Sequence, residues 1–323
     1  MAEKVLITGV VGFIGFHTAK ALLDDGFEIY GIDNINDYYD ISLKRKRLKI
    51  LEKYSNFIFS KIDISNIKDL AKVFKIFSPN KVINLAAQAG VRYSIENPFA
   101  YVDSNLVGFV NIIELSKKYK VDGFIYASSS SVYGANDKIP FSVEDNVDKP
   151  ISIYAASKRA NELIAYSYSH LFKLNTTGLR FFTVYGPWGR PDMAMFIFAE
   201  KISRNKPIDV FNNGKMKRDF TYIDDIVSGI KSALNKNYEC EIFNLGNSKS
   251  ENLMDIISYI ERNLNKKAKI QFSPIQPGDV KQTYADIEKT KNLLDYHPSI
   301  NIDIGIKRFI DWYRKYTEKT SDD

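Results

Sequence analysis

Gly9-Val10-Val11-Gly12-Phe13-Ile14-Gly15 lies between the apolar run Lys4-Val5-Leu6-Ile7-Thr8 and a segment, residues 13 to 25, whose apolar side chains recur at helical spacing. A strand that passes into a helix through small residues can turn tightly, admit a pyrophosphate to the N–H groups of the helix N-terminus, and pack the helix close on a sheet. A lone glycine repeat is a weak signal. Context adds to it here, because Asp33 closes the next apolar run, 18 residues after Gly15. An acid at that place accepts hydrogen bonds from an adenosine ribose and repels a 2′-phosphate, which favours NAD over NADP. The competing structural reading is that the glycines serve strand–helix packing and Asp33 caps a turn. Asp63, after the third apolar run, can reach an adenine edge or simply end a strand.

The alternation continues down the chain. Runs at 4 to 8, 27 to 32, 57 to 62, 81 to 85, 123 to 127 and 177 to 182 are separated by helical patterns near 13 to 25, 66 to 77, 98 to 119 and 152 to 173. Strands alternating with helices pair in parallel through right-handed crossovers, so the expected fold is a doubly wound α/β sheet. After about Arg180 the chain is broken into shorter elements by Pro187, Gly189, Pro191, Pro207, Gly214 and Pro298. The expected division is a dinucleotide-binding domain at 1 to 180, rejoined by a buried strand near 241 to 246, and a smaller substrate lobe at 181 to 323.

With 45% hydrophobic and 26% charged residues over 323 positions, a disordered or fibrous chain is excluded. No run approaches the ~18 apolar residues of a membrane helix. The first residues show no basic segment, apolar core and cleavage site, so a cytoplasmic protein is expected. Cys240 is the only cysteine, which rules out internal disulfides and cysteine-based zinc sites; it reads as a buried, inert thiol. His17, His170 and His297 have no partner at metal-ligand spacing, so no metal is expected. The net charge of +6 is spread out except for Lys44-Arg45-Lys46-Arg47 with Lys49, read as the wet face of an amphipathic helix. Nucleic-acid binding gains little support, and a small anionic substrate suits the field equally well. Trp188 can line a site, and Trp312 reads as core.

Ser128-Ser129-Ser130-Ser131 follows the fifth apolar run, at the sheet edge where such folds bind ligands. Tyr154 and Lys158, four apart, share one face of the next helix. A free tyrosine, with a pKa of ~10, is a poor base, but a nearby ammonium and a positive nicotinamide favour its phenolate. A serine hydroxyl can share the substrate proton, which makes a proton-and-hydride relay.

Taken together, these motifs make the chain resemble the extended short-chain dehydrogenases/reductases of nucleotide-sugar metabolism, and within them the UDP-glucuronate 4-epimerases of polysaccharide biosynthesis. The likeness covers nearly the whole chain. It rests on residues 9 to 15, 32 to 39, 86 to 94, the serine run with Val132-Tyr133-Gly134, Tyr154 to Lys158, 180 to 193 and 214 to 222. It departs at Val10-Val11, where smaller residues are usual. The resemblance implies a Rossmann fold and a tightly held NAD contacted by Gly9, Gly12, Phe13, Ile14, Gly15, Asp33, Asn34, Asp63, Ile64, Leu85, Ala86, Ala87, Tyr154 and Lys158. It also implies catalysis by Ser129, Tyr154 and Lys158, a UDP-sugar site that includes Arg92, Arg218 and Asp279, and a homodimer formed through two long helices per subunit. Ser130, Ser131, Thr183 and Arg190 are placed by the same pattern to meet the sugar's C5 substituent; the alternative for Arg190 is that it pins its own loop.

Related dehydratases and decarboxylases carry an acid between the catalytic hydroxyl and Val-Tyr-Gly, where this chain has Ser130 and Ser131. A 4-keto intermediate then has no obvious exit except hydride return, which is C4 epimerisation. Epimerases of neutral or N-acetylated UDP-hexoses, a UDP-glucuronate decarboxylase and a non-catalytic NAD-sensing regulator remain as alternatives.

Overall fold

The computed structural model describes residues 2 to 275 and 280 to 318. Seven strands form one parallel sheet: β1 (Lys4–Thr8), β2 (Glu28–Asp33), β3 (Phe57–Lys61), β4 (Lys81–Asn84), β5 (Gly123–Ser129), β6 (Thr176–Phe181) and β7 (Cys240–Leu245). Their spatial order is β7-β6-β5-β4-β1-β2-β3. Outward growth from β1 to β3, followed by the jump back to β4, leaves a crevice beside the carboxyl end of β1, the place where doubly wound sheets bind ligands.

The strands are apolar on both faces because helices cover both. Leu6, Ile32, Val82 and Phe124 pack against α3 (Ile67–Phe77) and α4 (Phe109–Lys118). Val5, Ile7, Ile29, Ile83 and Leu179 face the other way, in a core shared with α1 (Phe13–Asp24) and α7 (Ile223–Lys236) and continuous with the second lobe. α2 (Ile41–Leu51) follows β2, and α5 (Ile153–Phe172) follows β5. The second lobe contains α6 (Ala194–Ser203), α8 (Leu253–Leu264), α9 (Ile302–Glu318) and three two-stranded pairs, one of them Pro207–Phe211 alongside Lys269–Ser273. β7 returns from that lobe to lie against β6, with Cys240 opposite Thr176 and Leu245 opposite Phe181.

Four sequence expectations need correction. The helix read at 98 to 119 is interrupted: a turn at Pro98–Tyr101 and a π-helical stretch at Val102–Gly108 precede α4. The wider π turn carries Asn105, 1% exposed, against Gln88 and Ser157. The basic cluster does form a helix, yet two of its cations point inward: Lys44 is 5% exposed and Arg47 is fully buried. They are soluble in the interior because carbonyl, amide and phenol oxygens meet them there. Trp188 turns away from the cleft and packs against Phe16, Trp312 and Tyr316. Cys240 is half-buried, not enclosed, with the Thr176 hydroxyl 3.6 Å from its sulfur.

Candidate active site

A cleft of about 1130 Å³ runs along the carboxyl ends of the strands and between the two lobes. Its floor at one end is the glycine turn. Gly9 has φ +69°, and a Cβ there would lie 2.7 Å from the Ala86 nitrogen. A Cβ on Gly15 would lie 2.1 Å from the Gly9 carbonyl oxygen, so α1 approaches the turn only because no side chain intervenes. The N-terminus of α1 therefore faces the cleft bare, as a pyrophosphate needs.

At the end of β2, Asp33 accepts hydrogen bonds from the Val11 N–H (3.3 Å) and the Ile35 N–H (2.8 Å). Burial pushes its carboxyl pKa up, opposed by those N–H groups and by the Lys44 and Arg47 cations. Its oxygens keep lone pairs for ribose hydroxyls. Asn34 donates to Asp63 at 2.7 Å, and that bond, with the Ser65 N–H and hydroxyl, holds Asp63 below the usual carboxylate range against burial. Phe13, Ile14, Ile64, Leu85, Ala86 and Ala87 complete this end of the lining. A bare-backbone phosphate cradle, a ribose-facing carboxylate and apolar walls together fit a dinucleotide.

Ser129 ends β5, and Tyr154 and Lys158 lie on the first turns of α5, started by Ser152, whose hydroxyl accepts from the Ala155 N–H at 3.1 Å. All three line the cleft. The Ser129 hydroxyl donates to the Ser131 hydroxyl and accepts from the Ser131 N–H, both at 3.2 Å. Burial raises the Tyr154 pKa, while the Ser129 hydroxyl and the Arg190 guanidinium pull it down. The Lys158 ammonium donates to the Ala127 carbonyl at 2.9 Å, and burial lowers its pKa to about 8. Ser128 stands outside the chemistry, its hydroxyl given to Glu162 at 2.6 Å.

Glu162 is fully buried on α5 and takes two bonds from Arg180 of β6, at 2.8 and 2.9 Å, and one from Arg159 at 3.0 Å. The helix bearing Tyr154 and Lys158 is thereby locked to β6, and the Ser128 hydroxyl, donating to the same carboxylate, ties it to β5, the strand that ends in Ser129. A second brace is Asn105, whose side chain takes the Gln88 N–H at 2.8 Å and donates to the Gln88 carbonyl and the Ser157 hydroxyl. Nothing in helical periodicity announced it, since the π turn shifts the residue off the expected face.

Ser130, Ser131, Thr183, Arg92 and Arg218 line the cleft toward the second lobe. Arg92 stacks over the Phe211 ring at 4.7 Å, and Arg218 donates to the Lys217 and Lys281 carbonyls. Asp279 lies outside the described residues. Arg190 also lines the cleft. It makes a bidentate pair with Asp192, which accepts as well from the Tyr38 hydroxyl at 3.2 Å. Burial and that carboxylate push the Tyr38 pKa up to about 12. Asp192 and Tyr38 lie inside the stretches that carried the family resemblance, yet neither was singled out. Among the described residues, no group of three or more His, Cys, Asp or Glu gathers as a metal site.

Known proteins resemble the chain over nearly all of its length. It is 50% identical to Protein CapI of Staphylococcus aureus, across 98% of this chain and all of that protein. It is 46% identical to a UDP-glucuronate 4-epimerase of Thermodesulfobacterium geofontis, across 97% of each. The crystal structure of UDP-glucuronic acid 4-epimerase from Bacillus cereus, in complex with UDP-glucuronic acid and NAD, superposes with a TM-score of 0.91 at 37% identity, over 97% of this chain and 99% of that one. Residues 5 to 246 match the model of the NAD dependent epimerase/dehydratase family, with the glycine turn, Asp33 and the Ser129, Tyr154 and Lys158 group all inside that span, and the chain belongs to that family.

Proposed function

We propose that this chain epimerises UDP-glucuronate at C4 to UDP-galacturonate through a 4-keto sugar, with Ser129, Tyr154 and Lys158 as its catalytic residues. The observation that carries the reading is the meeting of these three beside the dinucleotide cradle, with serines rather than an acid following Ser129. NAD is held by residues 9 to 15, Asp33, Asn34, Asp63, Ile64, 85 to 87, Tyr154 and Lys158, and when bound it accepts and returns the C4 hydride. Tyr154 takes the C4 hydroxyl proton, and Ser129 shares it. Burial raises the Tyr154 pKa and the Ser129 hydroxyl opposes that rise, while the Lys158 ammonium and the positive nicotinamide would favour the phenolate once NAD is bound. Lys158, anchored on the Ala127 carbonyl, holds a fixed place beside the reacting face. With no carboxylic acid beside Ser129, the keto sugar turns over and is reduced from its other face.

The sugar carboxylate is received by Ser130, Ser131, Thr183 and Arg190, Arg92 is a further substrate contact, and Arg218 and Asp279 belong to the UDP side. Because Asp192 already neutralises Arg190, rejection of neutral sugars cannot come from a guanidinium left bare. The penalty for a neutral sugar is smaller as a result, and weaker selectivity follows.

The dinucleotide half extends through residue 180 with β7 added, and residues 181 to 323 supply most of the sugar half. A second copy covers the face bearing Ile95, Phe99, Val110, Leu163 and Tyr166, all exposed and large, making a homodimer through α4 and α5. No helix among the described residues is long and apolar enough to cross a membrane; a cytoplasmic site of action is part of the proposal.

Purified protein incubated separately with UDP-glucuronate, UDP-glucose and UDP-N-acetylglucosamine, with products read by NMR, tests the substrate. UDP-galacturonate should form fastest. Faster conversion of UDP-glucose would move the assignment to a neutral-sugar epimerase, and a UDP-pentose as main product would move it to a decarboxylase.

A further inference from the structure

Arg47 has no part in the chemistry above, yet with Arg180 it is one of the two largest fully buried side chains among the described residues. Its guanidinium is spent on oxygens from three separate segments. Nη1 donates to the Val11 carbonyl of the glycine turn and to the Tyr39 hydroxyl, each at 2.8 Å. Nη2 donates to the Trp188 carbonyl at 2.5 Å and the Gly189 carbonyl at 3.3 Å. Those two carbonyls immediately precede Arg190. Trp188 has φ +60°, a left-handed backbone that a bulky residue holds only when its surroundings insist. A second grip comes from α1: His17 Nε2 lies 2.9 Å from the Pro187 carbonyl. A carbonyl only accepts, so Nε2 carries the proton.

We propose that Arg47 is a positioning residue for the sugar side of the cleft: it ties the loop at 187 to 190 to the dinucleotide turn and thereby sets the place of Arg190. The wall that receives the sugar is built outward from the wall that receives NAD. A lysine cannot replace this, because one ammonium on a flexible stem does not offer a planar fork to two successive carbonyls and a third on the opposite side. Only the identity of the substrate in the test below rests on the proposed function.

The chain has two tryptophans, and Trp188 and Trp312 lie 5.4 Å apart between ring centroids. Their near-ultraviolet circular dichroism therefore reports the loop directly. Arg47→Met should keep its bound NAD and hold kcat within about threefold, while KM for UDP-glucuronate rises at least about tenfold and the tryptophan signal collapses. Arg47→Lys should fall between, and the same criteria apply to it alone if the Met variant does not fold. An unchanged KM, or a fall in kcat with loss of NAD, would overturn the proposal, the second result placing Arg47 in service of the cofactor turn only. If the wild-type protein does not turn over UDP-glucuronate, the substrate assignment fails separately: loss of the tryptophan signal in Arg47→Met then supports the tether, and an intact signal overturns it.

Discussion

Arg180 and Arg47 are both buried arginines under the cleft, one beneath its catalytic wall and the other beneath its sugar wall, and they are compensated by different chemistry. Arg180 forks onto Glu162 with two charge-assisted bonds and lies 4.9 Å over the Tyr133 ring. Arg47 also lies over a tyrosine ring, Tyr39, but its hydrogen bonds go to carbonyl and phenol oxygens and to no carboxylate. A buried ion pair cannot be opened without stranding a charge, so it fixes one geometry. Carbonyls in loops can trade a guanidinium for water at smaller cost. The chemistry therefore sits on the locked wall and the sugar sits against the adjustable one.

That contrast is open to attack at several points, the strongest first. Tyr154→Phe strikes the locked wall directly, removing one hydroxyl without disturbing its supports. Turnover should fall by at least about 100-fold with KM within a few-fold. A variant keeping a tenth of the rate would send the search to another base.

Glu162→Gln strikes beneath the same wall. It leaves Arg180 without its counter-charge, and the expected loss is about 3–5 kcal/mol of unfolding free energy in urea titrations. Arg47→Met, which strands no opposite charge, should lose less. Equal losses would erase the distinction between the two arginines.

The smallest effect concerns pH. Burial lowers the His17 pKa to about 4 from 6.5. A folded value below the unfolded one means the unfolded chain takes the proton first. Stability from His17 is thus complete above pH 6.5 and is lost as pH falls toward 4, by at most about 3 kcal/mol. His17→Gln should flatten that part of the stability profile. Wild-type and variant curves that run parallel between pH 6.5 and 4 would show the imidazole has no such part.

Much of this was legible in the residues. Strand and helix periods are local, so the parallel sheet could be read from runs such as Val5 to Thr8 and Gly123 to Ala127. The glycine turn, Asp33, the serines and the Tyr154 and Lys158 pair are contiguous or evenly spaced. What escaped was pairing between distant segments. Lys44 and Arg47 read as wet because charge implies exposure until acceptors are found, and their acceptors come from residues 11, 36, 39, 188 and 189. The pairing of Arg190 with Asp192, two residues on, has no periodic signature either. The bond from Lys158 to the Ala127 carbonyl at the end of β5 joins residues 31 apart, and spacing along one helix does not reveal it.

The return of β7 to the sheet bears on how the polypeptide is made. The chain leaves the sheet after Phe181, builds outlying structure, and comes back at Cys240 to cover the flank of β6. During synthesis β6 emerges first, and its unpaired N–H and C=O groups stay open to any extended segment until Leu245 has left the ribosome. A chain stopped before that point would display a sticky edge. A nick in an exposed loop between 182 and 239, by contrast, would release neither piece, because the six-residue ladder from Cys240 to Leu245 would still clasp them together.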